Sequence, residues 1–319
     1  MALRIVYSVG KGGVGKTTCA GALALQSARA FKTLVVSLDP AHNLGDVLGR
    51  KLSGDVTEVS SNLWASEIDM EAAIARYLAD STQKLQGMYG YLKTINIDGY
   101  LETMKLSPGI EEYATLQAME ELIRTAEDDY EVLVFDTPPT GLTLRVLALP
   151  RVSLLWGESL SRLRREILDR RRMIKNIQGE KKFVIDGTEQ ALPTEEKSDS
   201  VMGELRQYVE RMQRLMTLQS DAGCSRVMPV MNADRLSLFE TQRALVTLRS
   251  LKMTIGPVIV NKVGVKPTDE QTVRDIGREL GMDTRTLPFS SAEPVGQEAL
   301  ERFAGSIDFR EWIPGQPTG

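Results

Sequence analysis

The segment Gly10-Lys11-Gly12-Gly13-Val14-Gly15-Lys16-Thr17-Thr18 constrains this chain more than any other. Glycine, four residues, then Gly-Lys-Thr makes a loop whose backbone N–H groups converge on phosphate oxygens. It works only between a strand and the N-terminus of a helix. The sequence supplies both: an apolar run from Leu3 to Val9, then a helical pattern through about Ala30. Lys16 is placed to neutralise the β- and γ-phosphates, and the Thr17 hydroxyl to ligate Mg²⁺. The loop therefore predicts an α/β fold holding the triphosphate of ATP with Mg²⁺.

The rest of the chain agrees with that class. Short apolar runs at Thr33–Leu38, Leu63–Ile68, Glu131–Phe135, Val227–Met231, Pro257–Val260 and Thr284–Leu287 alternate with helical patterns. This order predicts a doubly wound, mostly parallel sheet of the P-loop type. Between residues 69 and 125, and again between 151 and 220, strand signals give way to helical spacing. These stretches are expected to form a helical subdomain inserted into a nucleotide-binding core of residues 1–68, 126–150 and 221–319. Within the second stretch, the turn-rich segment from Gly179 to Ser200 reads as a loop or short hairpin.

Charge and cysteine content narrow the function classes. A net charge of −4 argues against nucleic acid as the main partner, and two distant cysteines, Cys19 and Cys224, argue against a disulfide framework. No run reaches the roughly 18 apolar residues of a membrane span, and loop chemistry begins too early for a signal peptide. A cytoplasmic protein with transient membrane association only is expected.

Two further motifs lie where strands end, at the sheet edge that binds ligands in open α/β folds. In Asp39-Pro40-Ala41-His42-Asn43-Leu44-Gly45-Asp46, Asp39 is placed to hold Mg²⁺ through water and Asp46 to orient or deprotonate the attacking water. In Asp136-Thr137-Pro138-Pro139-Thr140-Gly141-Leu142-Thr143, the carboxylate ending an apolar strand suits Mg²⁺ bound through water. The Pro and Gly residues beyond it suit a segment that changes shape with the γ-phosphate. Asp136 or Thr140 also fits a helix N-cap, and both roles are compatible. Lys11, so early in the loop, cannot easily reach its own γ-phosphate along with Lys16, and its plain reading is a solvated loop lysine.

These motifs resemble the first and second switches of the ArsA family, which comprises arsenite-pump ATPases and the guided-entry ATPases that deliver tail-anchored membrane proteins. Asn62–Asp69, Ser107–Glu112, Leu236–Thr241 and Val258–Lys262 are similar to further family segments in the same order, over roughly residues 3 to 310. The resemblance implies a homodimer that closes on ATP. It makes Asp46 the catalytic carboxylate, Lys11 a lysine reaching the partner's nucleotide, and Glu240 and Asn261 nucleotide contacts. In the guided-entry branch, the helical subdomains form an apolar groove for a client's transmembrane helix.

The chain also departs from the family pattern. Leu142 and Pro138 stand where histidine and alanine are common, the Cys-x-x-Cys zinc motif is absent, and Ile110 replaces a cysteine of the arsenite pumps. Two isolated cysteines cannot supply a thiolate site for zinc or arsenite, and Cys19 reads as a packing residue. Met88, Met104, Met119, Met173, Met202, Met212 and Met216 suit either an adaptable client groove or, on spacing, the subdomain's own core. The basic stretch from Arg162 to Lys175 reads as a solvated face, or one turned to an anionic membrane or acidic receptor. A targeting ATPase is favoured; the alternatives are the energising subunit of an arsenite or anion efflux pump and, more distantly, a partition-type ATPase.

Overall fold

In the computed structural model, the chain is described at residues 3–41, 43–88, 104–105, 107–179, 182–185, 188–264, 269–290 and 292–316. The first half runs β1 (Arg4–Val9), α1 (Lys16–Ser27), β2 (Thr33–Ser37), α2 (Leu44–Leu48), β3 (Thr57–Ser60), β4 (Leu63–Glu67), α3 (Met70–Met88), α4 (Ile110–Asp129), β5 (Val132–Asp136) and α5 (Thr140–Gln178). It continues with β6 (Lys182–Ile185), β7 (Thr188–Ala191), α6 (Ser200–Ser220), β8 (Ser225–Asn232), α7 (Arg235–Ser250), β9 (Val258–Val263), α8 (Asp269–Leu280), β10 (Thr284–Pro288) and α9 (Gln297–Ala304).

Eight of these strands form one sheet in the order β10-β9-β8-β1-β5-β2-β4-β3. Every pairing is parallel except the edge pair β3–β4. The expected α/β class is thus what the chain adopts, with helices on both sides of the sheet. The centre is dry because both faces are covered: β2 and β5 are buried at every residue, as parallel strands with two covered faces must be. The β3 strand was not expected. Its sequence, Thr-Glu-Val-Ser, carries one apolar residue, because an edge strand with one exposed side needs no more.

By compactness the chain divides into two units, Met1–Met70 with Thr115–Leu147 and Leu218–Gly319, and Glu71–Ala114 with Ala148–Thr217. In the first, α1 is nearly wholly buried. The Gln26 amide donates to Ala304 O (2.5 Å) and Ile307 O (3.0 Å), and its Oε1 accepts from Phe309 N (2.8 Å). The helix that begins at the glycine loop is thereby tied to the C-terminal segment.

In the second unit, α5 and α6 approach closely at Gly157, where an added Cβ would meet Val209 Cγ2 at 2.8 Å. Arg164 grips Asp199 through two bonds of 3.0 and 2.7 Å, and Asp199 in turn accepts from Met202 N at the start of α6. Burial alone would raise the Asp199 carboxyl, but these donors hold it below its ordinary value. Helix α5 contains Pro150 and continues through it. One missing N–H is a local loss, and buried Val146, Leu147 and Ser153 secure the helix on both sides. The Gly179–Ser200 stretch contains the antiparallel hairpin β6–β7. Met119, Met202 and Met212 are buried, and Met104 and Met173 are exposed, so the methionines divide between the two readings. The Met88 side chain, like His42, lies outside the described residues.

Candidate functional site

The glycine loop sits between β1 and α1, with Gly13 at φ 78° and Gly15, the N-cap of α1, at φ 95°. Side chains other than glycine rarely adopt this left-handed backbone, which is why the loop can turn its N–H groups inward. Lys16 is buried and donates to Lys11 O at 3.4 Å. The Ser8 hydroxyl donates to Lys16 O (3.2 Å), fixing the first turn of α1 against β1.

Sheet register brings the carboxylates to this loop. Asp136 on β5 pairs with Ser8 on β1 and with Ser37 on β2, and it is fully buried. Ser37 Oγ donates to Asp136 Oδ2 at 3.3 Å. Asp136 Oδ1 has no hydrogen-bond partner among the described residues. Burial pushes the Asp136 carboxyl up to about 6, with the Asp39 charge adding to the rise and the Thr17 hydroxyl, Lys16 ammonium and Ser37 hydroxyl opposing it. A buried, unpartnered carboxylate oxygen with Thr17 and Asp39 close by fits a divalent cation. Asp39 itself caps the turn after β2, accepting from Ala41 N at 3.1 Å.

This carboxyl makes the nucleotide-free protein sensitive to pH. A folded-state value of about 6 above an ordinary 3.8 means the folded form binds the proton more tightly. The penalty is therefore absent below about pH 4, grows between about 4 and 6, and is complete above that. Asp136→Asn, always neutral, is expected to raise the nucleotide-free Tm above pH 6, by up to about 3 kcal/mol of stability. The gain should vanish near pH 4. Thermal denaturation across pH checks this, and a lower Tm for the variant at neutral pH would refute it.

Asp46 is exposed in α2, a five-residue helix whose Gly45 N–H donates to buried Glu67 Oε1 at 2.9 Å. Lys11 Nζ lies 3.6 Å from Glu240 Oε1 on α7. Both line a cleft of about 330 Å³ with Gly12, Thr140, Gly141 and Arg243, so the loop, the second motif and α7 share one opening. Asn261 ends up at the loop rather than apart from it: its amide donates to Val14 O (2.8 Å) and its Oδ1 accepts from Lys262 N (2.8 Å).

The sequence reading passed over three side chains here: Ser37, Glu67 and Lys262. Ser37 was legible in principle, as the last residue of a strand beside Asp136. Lys262 was harder. It sits at φ 59° with its Nζ donating to Gly13 O at 2.8 Å, so Asn261 and Lys262 hold two successive loop carbonyls. Lys262→Ala is expected to raise KM for ATP roughly tenfold with kcat little changed, and Lys262→Arg to recover part of it. Steady-state kinetics decide the point, and an unchanged KM would deny the lysine this role.

The thiols lie elsewhere. Cys19 is buried in the core, where burial raises its thiol well above the ordinary value. Cys224 donates to Asp221 Oδ2 at 3.3 Å and is raised by burial and by that carboxylate. Among the described residues no cluster of three or more His, Cys, Asp or Glu could hold a metal, and no helix is long and apolar enough to cross a membrane.

Residues 3–308 match the anion-transporting ATPase family, ArsA. The chain is 32% identical to the ATPase GET3 of Paracoccidioides lutzii, over 98% of this chain and 92% of the relative. It is 32% identical to that of Aspergillus terreus, over 96% and 90%. It is 27% identical, over 95% and 98%, to a protein of Aquifex aeolicus named as an arsenical pump-driving ATPase.

Proposed function

The chain belongs to the ArsA family of anion-transporting ATPases and is an ATP-hydrolysing enzyme; from that premise we propose that it works as a homodimer coupling ATP-driven closure to the binding and delivery of apolar helices of membrane proteins. The glycine loop from Gly10 to Thr18 cradles the triphosphate, with Lys16 against the β- and γ-phosphates. Thr17, Asp39 and Asp136 would hold Mg²⁺. The cation, when bound, spreads the charge that develops on the transferred phosphoryl group. Asp46 takes the proton of the attacking water, Lys11 reaches the partner's nucleotide, and Glu240 and Asn261 position the nucleoside.

One observation carries the client side of this reading. At the head of α5 in the second unit, Val152, Leu155, Trp156 and Leu160 are 43, 61, 64 and 46% exposed. Their spacing of three to four puts them on one helix face, and apolar side chains gathered in this way mark a binding surface. An arsenite-pump role has the Aquifex relative behind it. Arsenite is thiophilic, however, and the chain offers only buried Cys19 and solitary Cys224.

The decisive experiment pairs two assays. Co-expression with a tail-anchored helix is expected to yield a complex that Trp156→Ser weakens, and arsenite is expected to leave ATP hydrolysis unchanged. Arsenite stimulation without helix capture would overturn the proposal in favour of the pump subunit.

A further inference from the structure

Asp46 sits on α2 between two residues whose backbone is held from outside the helix. On one side, Gly45 N–H donates to Glu67 Oε1 at 2.9 Å. On the other, Val47 O accepts from Gly296 N at 3.0 Å. Neither bond belongs to the helix's own ladder, and Asp46 is the residue they enclose.

Glu67 owes its place to the sheet. It ends β4, pairs with Ser37 on β2 and is 7% exposed. Its N–H donates to Ser53 O at 2.9 Å, and that of the next residue, Ile68, to Ser37 O at 3.0 Å. The backbone that carries the carboxylate is thereby fixed on both sides. A carboxylate is seldom so buried unless hydrogen bonds hold its charged form. The start of α2 supplies such a donor. Asn43, the N-cap, makes no side-chain bond to the helix, and Gly45 is the second helical residue, whose N–H a capping side chain ordinarily receives. Glu67 therefore caps α2 from the sheet. The far side of Gly45 is closed as well: an added Cβ would meet Arg50 O at 2.7 Å, and Gly45 O accepts from Arg50 N at 2.9 Å.

We infer that Glu67 is a positioning residue for ATP hydrolysis: its bond to Gly45 sets the rotation of α2 about its axis, and with it the direction of the Asp46 carboxylate. The role of Glu67 rests on the reading of Asp46 as the residue that takes the proton of water. At 3.6 residues per turn, a slip of one residue would swing Asp46 by about 100°. A short helix with no cap of its own has little to resist that slip, whereas one pinned beside Asp46 to a strand end cannot make it. Glu67 needs no contact with nucleotide or water to act in this way.

Two variants separate the bond from the charge. Glu67→Asp keeps the charge but is one methylene too short to reach Gly45 N–H. Glu67→Gln loses the charge but keeps an acceptor oxygen at the same reach. Glu67→Asp is expected to lower kcat about 10²-fold, as for a misplaced catalytic group, with KM for ATP little changed. Glu67→Gln should recover most of the rate. Amide protons of residues 44–48 should exchange faster in Glu67→Asp than in Glu67→Gln. Added to Asp46→Asn, Glu67→Asp should cost almost nothing more, because the group it aims is gone. Binding of a fluorescent ATP analogue confirms that each variant folds. An active Glu67→Asp beside a slow Glu67→Gln would mean that the charge itself acts, and would overturn the inference. An unchanged kcat in Glu67→Asp, or full additivity with Asp46→Asn, would do the same. A wild-type rate in Asp46→Asn would remove the premise and the inference together, whereas a slow Asp46→Asn beside a fast Glu67→Asp would overturn the inference alone.

Discussion

Asp46→Asn is expected to slow ATP hydrolysis by about 10²- to 10⁴-fold while nucleotide still binds, which is the range expected for loss of a general base. Asparagine keeps the size and the hydrogen-bonding carbonyl of aspartate but cannot accept the proton from water. Binding should survive because the proposed phosphate grip lies elsewhere, in the Gly13–Gly15 backbone and buried Lys16. Nor does the change disturb the scaffold, since Asp46 is exposed and α2 is held through Gly45 and Glu67. Single-turnover hydrolysis alongside binding of a fluorescent ATP analogue separates the two quantities. A wild-type rate would remove Asp46 from the chemistry.

Lys11→Ala is expected to cost about 10³-fold in kcat, the low end for a cation supplied to phosphoryl transfer from another subunit, and to abolish the ATP-dependent dimer. In the isolated chain Lys11 faces Glu240 at 3.6 Å, with both side chains more than a third exposed. Such a pair is worth at most about 1 kcal/mol, so the ammonium can leave it for a triphosphate at little cost. Glu240→Gln should therefore leave dimer formation intact, whereas Lys11→Ala removes it. Light scattering with a non-hydrolysable ATP analogue reads both. A full-strength dimer and rate in Lys11→Ala would return the lysine to its own loop.

The sheet was legible where physics makes strands conspicuous. Val132 to Phe135 is an unbroken apolar run because both faces of β5 are covered, and its polar end, Asp136, marks the edge where ligands sit. The α/β class and the mostly parallel sheet followed from such runs. β3 was not legible, since an edge strand carries half the burial and hence half the pattern. At Pro150 the local rule about proline is overruled by side chains buried on either side of it.

In the site, positions tied to spacing could be read directly, as with the glycine loop between β1 and α1 that ends at Lys16, the first residue of the helix. Lys262 could not, because its bond to Gly13 O joins positions 249 residues apart and depends on a left-handed backbone. Asn261 was noticed through resemblance, yet its double tie to Val14 and Lys262 needed coordinates. Most of the exposed apolar side chains on α5 were also hidden: the sequence offered methionines, and the structure presents leucine, isoleucine and tryptophan beside Met173.

The short helix α2 has a thermodynamic consequence. Five residues cannot repay the cost of nucleating a helix by themselves, so α2 persists through outside bonds and through Leu44 and Leu48, both buried in the core. Gly45 N–H donates to Glu67 at 2.9 Å, and Gly296 N–H to Val47 O at 3.0 Å. So short an element is expected to open locally while the sheet stays intact, at a free energy below that of global unfolding. Amide protons of residues 44–48 should exchange with deuterium long before those of β5, and bound ATP should narrow that gap. The carboxylate proposed to trigger hydrolysis thus rides on a segment expected to open before the sheet does, which would tie its readiness to the folding of one short helix.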